Sequence, residues 1–329
     1  MQLKTSLFVV SVAGLLTGAC GDDGAQPGID ARAPDASAPG VDAAPGDAGM
    51  AVDPLEGIGA VTLVDDGFTF TEGPLWLPGQ ELLLFSDVAG NTIYQVAPGG
   101  EAEIFRAPSG NANGLALDKD GLLLAAEHGN RRVSRSPLDG AVADVATEYD
   151  GKRLNSPNDI TVRSDGTIYF TDPPYGIDAG DAELDFHGLF RIPAAGGAPV
   201  VEWEGATDAN RPNGLVLSLD ERRLYVADTV DGAIRSFAVA AGGALTMDGA
   251  PFIADIPNPD GMELDTLGNL FIAAADGVRV YAPDGTLWGT IAVPQQPTNV
   301  AFGGDDYRTL YITARSGVYQ VQLANPGRP

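Results

Sequence analysis

Short apolar runs separated by turn-forming residues organise residues 63–323. The runs are about five residues long and rich in Leu, Ile, Val, Tyr and Phe, with Gly, Pro, Asn and Asp between them. No long amphipathic helix is apparent in this region. The pattern predicts an all-β protein. The clearest runs are residues 82–86, 167–171, 223–227, 269–273 and 309–313.

These runs belong to a sixfold repeat. Each copy starts with a polar residue, usually followed by a small one, and leads through a strand and a turn into a second strand. A spacing of about 40 to 55 residues is that of one four-stranded propeller blade. The sequence therefore predicts a six-bladed β-propeller with a central channel. Residues 60–64 precede the first copy, and we expect them to complete the last blade beside residues 318–321, leaving no exposed edge.

The first position of every copy carries an oxygen-bearing side chain. Because the first strand of each blade lines the channel, these positions should form a ring around it. Its members are Glu72, Asn113, Asn158, Asn213, Asp260 and Thr298. Asn, Asp and Gly are also favoured at strand entries for turn reasons, but a turn preference does not explain two carboxylates on one axis.

Carboxylate and amide oxygens suit a hard divalent cation. Ca²⁺ is the ion we expect in this ring, with Mg²⁺ and Mn²⁺ as alternatives of the same ligand preference. Zn²⁺ can also enter an oxygen-rich site. A three-histidine zinc site is excluded, because the chain has two histidines, His128 and His187.

The N-terminus has the features of an export signal. One cation precedes an apolar stretch of about ten residues, which is too short to span a bilayer. The single cysteine, Cys20, then stands where a bacterial lipobox places its cysteine, although Thr17 replaces the usual aliphatic residue. We expect a signal peptide over residues 1–20 and a lipid anchor on Cys20, in the bacterial cell envelope, periplasmic or at the cell surface. Ordinary secretion with an unused thiol is the alternative.

Composition separates two further parts of the chain. Residues 21–55 consist mainly of Ala, Pro, Gly and Asp, which cannot bury enough apolar surface to order, so they predict a disordered tether. Residues 56–329 are the predicted propeller. The formal net charge is −26, from 19 basic and 45 acidic residues. Such a surface repels phosphate backbones, so nucleic acid is not an expected partner.

Seven motifs resemble one known family. They are EGP at 72–74, NSPND at 155–159, FTDPPYG at 170–176, PNG at 212–214, LYVAD at 224–228, PDGM at 259–262 and NVAFGG at 299–304. Over residues 65–323 the chain is similar to the family of gluconolactonase, regucalcin (senescence marker protein) and luciferin-regenerating enzyme, and most of all to bacterial gluconolactonase-type members. The resemblance implies a six-bladed propeller that holds one divalent ion at the channel mouth.

The resemblance also implies roles for individual residues. Glu72, Asn213 and Asp260 match the metal ligands of the family, and Asn158 matches a residue at the metal or its water. Animal members place an arginine where this chain has Ser156. We expect Asn113, Glu127, Ser156 and Asp172 to contact the substrate. For His128 we consider a role at the channel mouth, and for His187 a role in a lid. For both residues, the alternative is a solvated loop histidine.

A metal-dependent lactonase is the first interpretation. The ion would activate a water, Asp260 would act as general base, and Asn158 would position the lactone or the water. No Gly-x-Ser-x-Gly elbow supports a serine hydrolase. A related hydrolase of other lactones or of phosphotriesters, as in the similar propeller of diisopropyl-fluorophosphatase, and a non-enzymatic ligand-binding propeller at the cell surface remain open.

Overall fold

The computed structural model describes residues 52–328, so the predicted signal peptide, Cys20 and most of the predicted tether lie outside the described residues. The described part is built from strands, with one 3₁₀ turn at Ala179–Asp181. The strands of the first three blades are β2 (Thr71–Leu77), β3 (Leu82–Asp87), β4 (Thr92–Val96), β5 (Glu103–Arg106), β6 (Ala112–Leu117), β7 (Leu123–Glu127), β8 (Arg132–Ser136), β9 (Ala143–Ala146), β12 (Ile160–Val162), β13 (Ile168–Asp172), β14 (His187–Ile192) and β15 (Val200–Gly205). Those of the other three are β16 (Pro212–Leu217), β17 (Arg223–Asp228), β18 (Ala233–Val239), β19 (Leu245–Met247), β20 (Met262–Leu264), β21 (Leu270–Ala274), β22 (Gly277–Tyr281), β23 (Leu287–Ile291), β24 (Asn299–Gly303), β25 (Thr309–Ala314), β26 (Gly317–Gln322) and β1 (Thr62–Asp66).

Six antiparallel four-stranded sheets form the blades of a β-propeller, which confirms the predicted fold class. The first strand of each blade is the innermost, and each inner strand lies against the inner strands of the two neighbouring blades. The order β2, β6, β12, β16, β20 and β24 therefore closes into a ring around the channel. A two-stranded hairpin, β10 (Glu148–Tyr149) with β11 (Lys152–Arg153), interrupts the repeat between the second and third blades.

The N-terminal strand closes this ring. β1 pairs antiparallel with β26, with Thr62 opposite Gln320 and Asp66 opposite Gly317. The predicted closure is thus confirmed, with the strand two residues further along the chain than expected. Upstream of it, Leu55 and Ile58 pack against the core of the last two blades. Covering the last blade in this way removes an edge strand that would otherwise template aggregation.

Apolar side chains fill the six spaces between neighbouring blades. Each space holds a separate buried cluster, such as Phe271, Phe302 and Ile312 between the fifth and sixth blades. The remaining clusters occupy the other five interfaces. Successive side chains of a strand point to opposite faces of its blade, and each face packs against a neighbouring blade. Both sets of side chains are therefore buried, which explains the short apolar runs in the sequence. Between residues 52 and 328, no helix is long and apolar enough to cross a membrane.

Candidate metal centre in the channel

Five of the six predicted ring residues line one pocket at the channel mouth, with a volume of about 390 Å³. They are Glu72, Asn113, Asn158, Asn213 and Asp260. Thr298 does not line it, because its Oγ1 donates to the carbonyl oxygen of Thr71 at 2.7 Å and joins the last blade to the first. The prediction of Thr298 as a channel-facing ring member is therefore wrong.

β-Bulges aim the ring side chains into the pocket. In the first, second and fourth blades the pairing of the inner strand shifts at the ring position, for example between Glu72 and Leu75. A bulge bends its strand and redirects a side chain, and such bulges are frequent next to active sites. The small residue that follows fits the close approach of the next blade: a Cβ on Gly214 would overlap the carbonyl group of Asp260. Backbone packing between blades thus fixes the positions of the ring residues.

Glu72 is a buried carboxylate with few donors around it. Its Oε2 accepts hydrogen bonds from the backbone N–H of Gly73 at 3.0 Å and from Asn299 Nδ2 at 3.2 Å. Burial, with the nearby charge of Asp159, raises the pKa of Glu72 to about 8, and the two hydrogen bonds offset part of this. A carboxylate in such surroundings gains from a cation that compensates its charge.

Asp260 lies in the same pocket, and the charges of neighbouring carboxylates oppose its ionisation. Burial raises its pKa well above the usual range, and the charges of Glu72 and Asp159 add to the shift, while Arg315 and a hydrogen bond from Asn213 lower it in part. Two carboxylates whose charges oppose each other in a buried site are a typical donor pair for a divalent ion, which removes the repulsion.

Asn213 is held so that its amide oxygen stays available. Its Nδ2 donates to Thr229 Oγ1 at 3.0 Å, and Thr229 Oγ1 donates to the carbonyl of Pro259 at 2.8 Å. This chain of hydrogen bonds ties Asn213 to the segment that carries Asp260. A ligand fixed by a second hydrogen bond needs no reorganisation to bind an ion.

His128 joins the remaining two amides. Its Nε2 lies 3.2 Å from Asn113 Nδ2 and 3.5 Å from Asn158 Nδ2. Burial lowers the pKa of His128 to about 4, so its imidazole is neutral at pH 7. With both amides donating to Nε2, the proton of His128 sits on Nδ1 and the Oδ1 atoms of Asn113 and Asn158 are left for other partners. His128 is therefore part of the site and not a solvated loop residue.

The donor set fits a hard cation only if amides contribute. Within residues 52–328, no group of three or more His, Cys, Asp or Glu side chains could hold a metal. The pocket offers two carboxylates, Glu72 and Asp260, together with the amides of Asn158 and Asn213. All are oxygen donors, the ligands that Ca²⁺ takes in proteins.

Three of the predicted substrate contacts do not line the pocket. Glu127 receives hydrogen bonds from Asn130, Arg132 and Ser134. Asp172 Oδ2 accepts the backbone N–H of Asn155 at 2.7 Å, and burial raises the pKa of Asp172 to about 7. Ser156 Oγ donates to Pro173 O and accepts the N–H of Gly176. Because none of the three lines the pocket, the structure does not support them as substrate contacts; Asn113, in contrast, faces the pocket.

His187 does not belong to a lid either. It is the first residue of β14, and its Nδ1 lies 2.7 Å from the carbonyl oxygen of Asn210. That contact joins the third blade to the loop that enters the fourth. His187 is thus an inter-blade contact of the scaffold, away from the pocket.

Several pocket residues were not among the candidates from the sequence. They are Phe70, Val88, Tyr175, Thr229, Asn258 and Gln296. A repeat signal was available for two of them: Val88 and Thr229, like His128, each follow the last residue of the second strand of a blade. The position after the second strand is therefore a further repeated position that reaches the pocket.

Comparison with known proteins places the chain in a family. Residues 70–316 match the model of the SMP-30/Gluconolactonase/LRE-like region. The gluconolactonase of Zymomonas mobilis is 33% identical over 300 residues, which cover 81% of this chain and 82% of that protein. The structure of a gluconolactonase from Xanthomonas campestris aligns with a TM-score of 0.75 at 33% identity, covering 82% and 91% of the two chains. A calcium-binding protein, regucalcin, from Agrobacterium tumefaciens shares the fold, with a TM-score of 0.70 at 20% identity over 82% and 96%.

Proposed function

The chain belongs to the SMP-30/gluconolactonase/LRE-like family, and from that premise we propose that it opens a sugar lactone with the help of a divalent cation in the channel. Its relatives identify it as a lactonase, a hydrolase of carboxylic esters. The observation that supports the proposal most is the assembly of Glu72, Asn158, Asn213 and Asp260 in one pocket. An aldonolactone such as glucono-δ-lactone is the proposed substrate.

Glu72, Asn213 and Asp260 would hold the cation, with Asn158 at the ion or its water. When bound, such an ion polarises an ester carbonyl and lowers the pKa of a water molecule. We propose Ca²⁺, because all available donors are oxygens and because one protein of the same fold is a calcium-binding protein.

Asp260 is the proposed general base. It is a carboxylate that lines the same pocket as the other proposed ligands, so it can accept the proton of a water molecule held there. Hydrolysis adds water across the ester bond: the proton leaves the attacking water towards Asp260 and is returned to the departing ring oxygen. Asn113 and Asn158, oriented by His128, position the lactone carbonyl.

A pair of substrates tests the proposed substrate class. The full-length protein should release acid from glucono-δ-lactone at least 100-fold faster than the buffer reaction, on the order of the contribution of one general base. A phosphotriester such as paraoxon should show no comparable acceleration, because the named relatives of the chain are lactonases. Hydrolysis of paraoxon without that of the lactone would contradict the proposal in favour of a phosphotriesterase.

We propose further that the protein is anchored in the cell envelope through Cys20. The lipobox-like segment before this only cysteine supports the proposal. Each buried methylene of an acyl chain contributes about 0.8 kcal/mol, so several chains hold firmly. In a bacterial host, the wild type should fractionate with membranes and Cys20→Ser with soluble proteins; equal partitioning of both would contradict the anchor.

A further inference from the structure

A second and larger cavity opens beside the proposed metal pocket. It has a volume of about 830 Å³ and lies between the turn after β7 and the segment around the 3₁₀ turn Ala179–Asp181. His128 and Tyr175 line both the cavity and the pocket, so the two spaces adjoin at these side chains. Cavities of roughly 300 to 1,000 Å³ are typical of small-molecule sites. Nothing in the proposed reaction on a single sugar ring uses this space.

A buried arginine with an unused donor lines this cavity. Arg131 is 7% exposed, and its Nε donates to the carbonyl of Leu154 at 2.7 Å while its Nη1 donates to that of Asp181 at 3.0 Å. Its Nη2 is buried without a hydrogen-bond partner in the described part of the chain. A buried N–H of a charged group without a partner is costly, which indicates that a ligand group or a water completes it.

The charges around the cavity favour a neutral, hydroxyl-rich ligand. Two cations, Arg131 and Arg153, are outnumbered by three carboxylates, Asp178, Asp181 and Glu183. An anionic ligand would meet this net negative lining and be repelled. Sugar hydroxyls both donate and accept, so they match a lining of guanidinium donors and carboxylate acceptors.

The aromatic residue at the junction supports the same chemistry. Tyr175 is 40% exposed, and the guanidinium of Arg211 lies 5.6 Å from its ring centroid on the side of the fourth blade. Its turn is fixed by tight packing, since a Cβ on Gly176 would overlap the side chain of His128. A partly exposed aromatic face held in place offers an apolar surface to the C–H face of a sugar ring, as amphipathic aromatic residues do at wet interfaces.

We infer that this cavity is a subsite for a second sugar unit, so that the preferred substrate is a glycosyl-aldonolactone, a lactone of a disaccharide acid. The inference rests on the proposed function, because it places the lactone ring in the metal pocket and the glycosyl unit beyond Tyr175. The guanidinium groups of Arg131 and Arg153 and the carboxylates of Asp178 and Glu183 bind its hydroxyls.

The test compares two lactones in the full-length protein. The kcat/KM for cellobiono-δ-lactone divided by that for glucono-δ-lactone should exceed one. Asp178→Ala and Arg153→Ala, both at exposed positions, should each lower this ratio about tenfold, the effect of losing one hydrogen bond to a charged group. Asp139→Ala, an equally exposed change in the turn between β8 and β9, should leave it unchanged.

A binding measurement separates this inference from the proposed function. Calorimetric titration with cellobionate, the ring-opened acid, should show binding that is tighter than that of gluconate and weakened by Asp178→Ala. Such binding without hydrolysis of either lactone would keep the subsite and reject the lactonase proposal. Hydrolysis of both lactones at a ratio that the two variants do not change would overturn the subsite. A preference for 6-phosphogluconolactone that Arg153→Ala removes would also overturn it, in favour of an anion site.

Discussion

Replacing Asp260 by asparagine is expected to lower kcat/KM for glucono-δ-lactone by about 10³-fold, through loss of the general base and of one charged metal ligand. The change is isosteric and keeps a hydrogen-bonding side chain next to Asn213. Ca²⁺ affinity, measured by calorimetry on the chelated and reloaded protein, should fall by at least about tenfold.

The same substitution is expected to stabilise the metal-free protein. Burial and the charges of Glu72 and Asp159 oppose ionisation of Asp260, so the neutral amide removes an unfavourable interaction. Thermal unfolding in the presence of a chelator should therefore show a higher melting temperature for Asp260→Asn than for the wild type. A loss of activity with a gain in stability is the signature of a functional residue, in contrast to one needed for folding.

Asp255→Asn is the matched control. Asp255 lies five residues upstream, is exposed, and has a positive φ of 59°, which asparagine tolerates. It should change neither activity nor stability measurably. Full activity and unchanged ion affinity of Asp260→Asn would contradict both roles assigned to Asp260.

The metal-free protein is expected to lose several kcal/mol of its free energy of unfolding between about pH 6.5 and pH 8.5, because each proton that only the folded state holds makes the stability fall by about 1.4 kcal/mol per pH unit. Glu72 has a pKa of about 8 in the folded protein against 4.5 unfolded, so the folded state binds more protons in between. Stability is then lost as the pH rises. Asp159 and Asp172, each with a pKa raised to about 7 by burial, act in the same direction.

His128 opposes part of this loss below pH 6.5. Its folded pKa of about 4 lies below the unfolded value of 6.5, so the unfolded state binds the extra proton and stability rises with pH over that range. Above pH 6.5 this opposing contribution is complete. Urea unfolding of the chelated protein at closely spaced pH values measures the slope.

Ca²⁺ and a variant provide the controls for this prediction. Saturating Ca²⁺ should restore stability most at the alkaline end, because ion binding to the folded state releases the protons of Glu72 and Asp260. Glu72→Gln should flatten the slope in chelator. A free energy of unfolding that stays level or rises above pH 6.5 in both the wild type and the variant would contradict the raised pKa values of the buried carboxyl groups Glu72 and Asp260.

The fold and the first ring were accessible from the sequence because a repeat carries them. Six aligned copies place Glu72, Asn113, Asn158, Asn213 and Asp260 at equivalent positions, and inner strands that close into a ring bring equivalent positions together. The repeat does not say whether a side chain at the first position reaches the channel or bonds within the scaffold. Thr298 illustrates this, since its Oγ1 donates to the backbone of the first blade.

Glu127 and Asp172 lie outside the pocket lining for a physical reason that the repeat also shows. Asp87, Glu127, Asp172 and Asp228 all end the second strand of their blades. Three of them accept backbone N–H groups of the segment that leads into the inner strand, as Asp228 does from Arg211 at 2.9 Å. A carboxylate that recurs in this position anchors a loop in three of the six blades, and it is not specific to one substrate.

The cavity beside His128 could not be predicted from the sequence, for a different reason. It depends on how residues 173–183 fold over the turn after β7, and this insertion has no counterpart in the other repeats. Arg131 in that turn carries no motif of its own; its burial and its unpartnered Nη2 become visible only once the carbonyls of Leu154 and Asp181 are in place.

The dependence of lactone hydrolysis on a metal ion tests the central claim most directly. Acid release from glucono-δ-lactone by the full-length protein is followed before chelation, after chelation, and after addition of Ca²⁺, Mg²⁺, Mn²⁺ or Zn²⁺. We predict that chelation abolishes turnover and that Ca²⁺ restores it best. Turnover that persists in chelated protein, with no ion bound by calorimetry, would contradict the proposal that Glu72, Asn158, Asn213 and Asp260 form a catalytic metal centre.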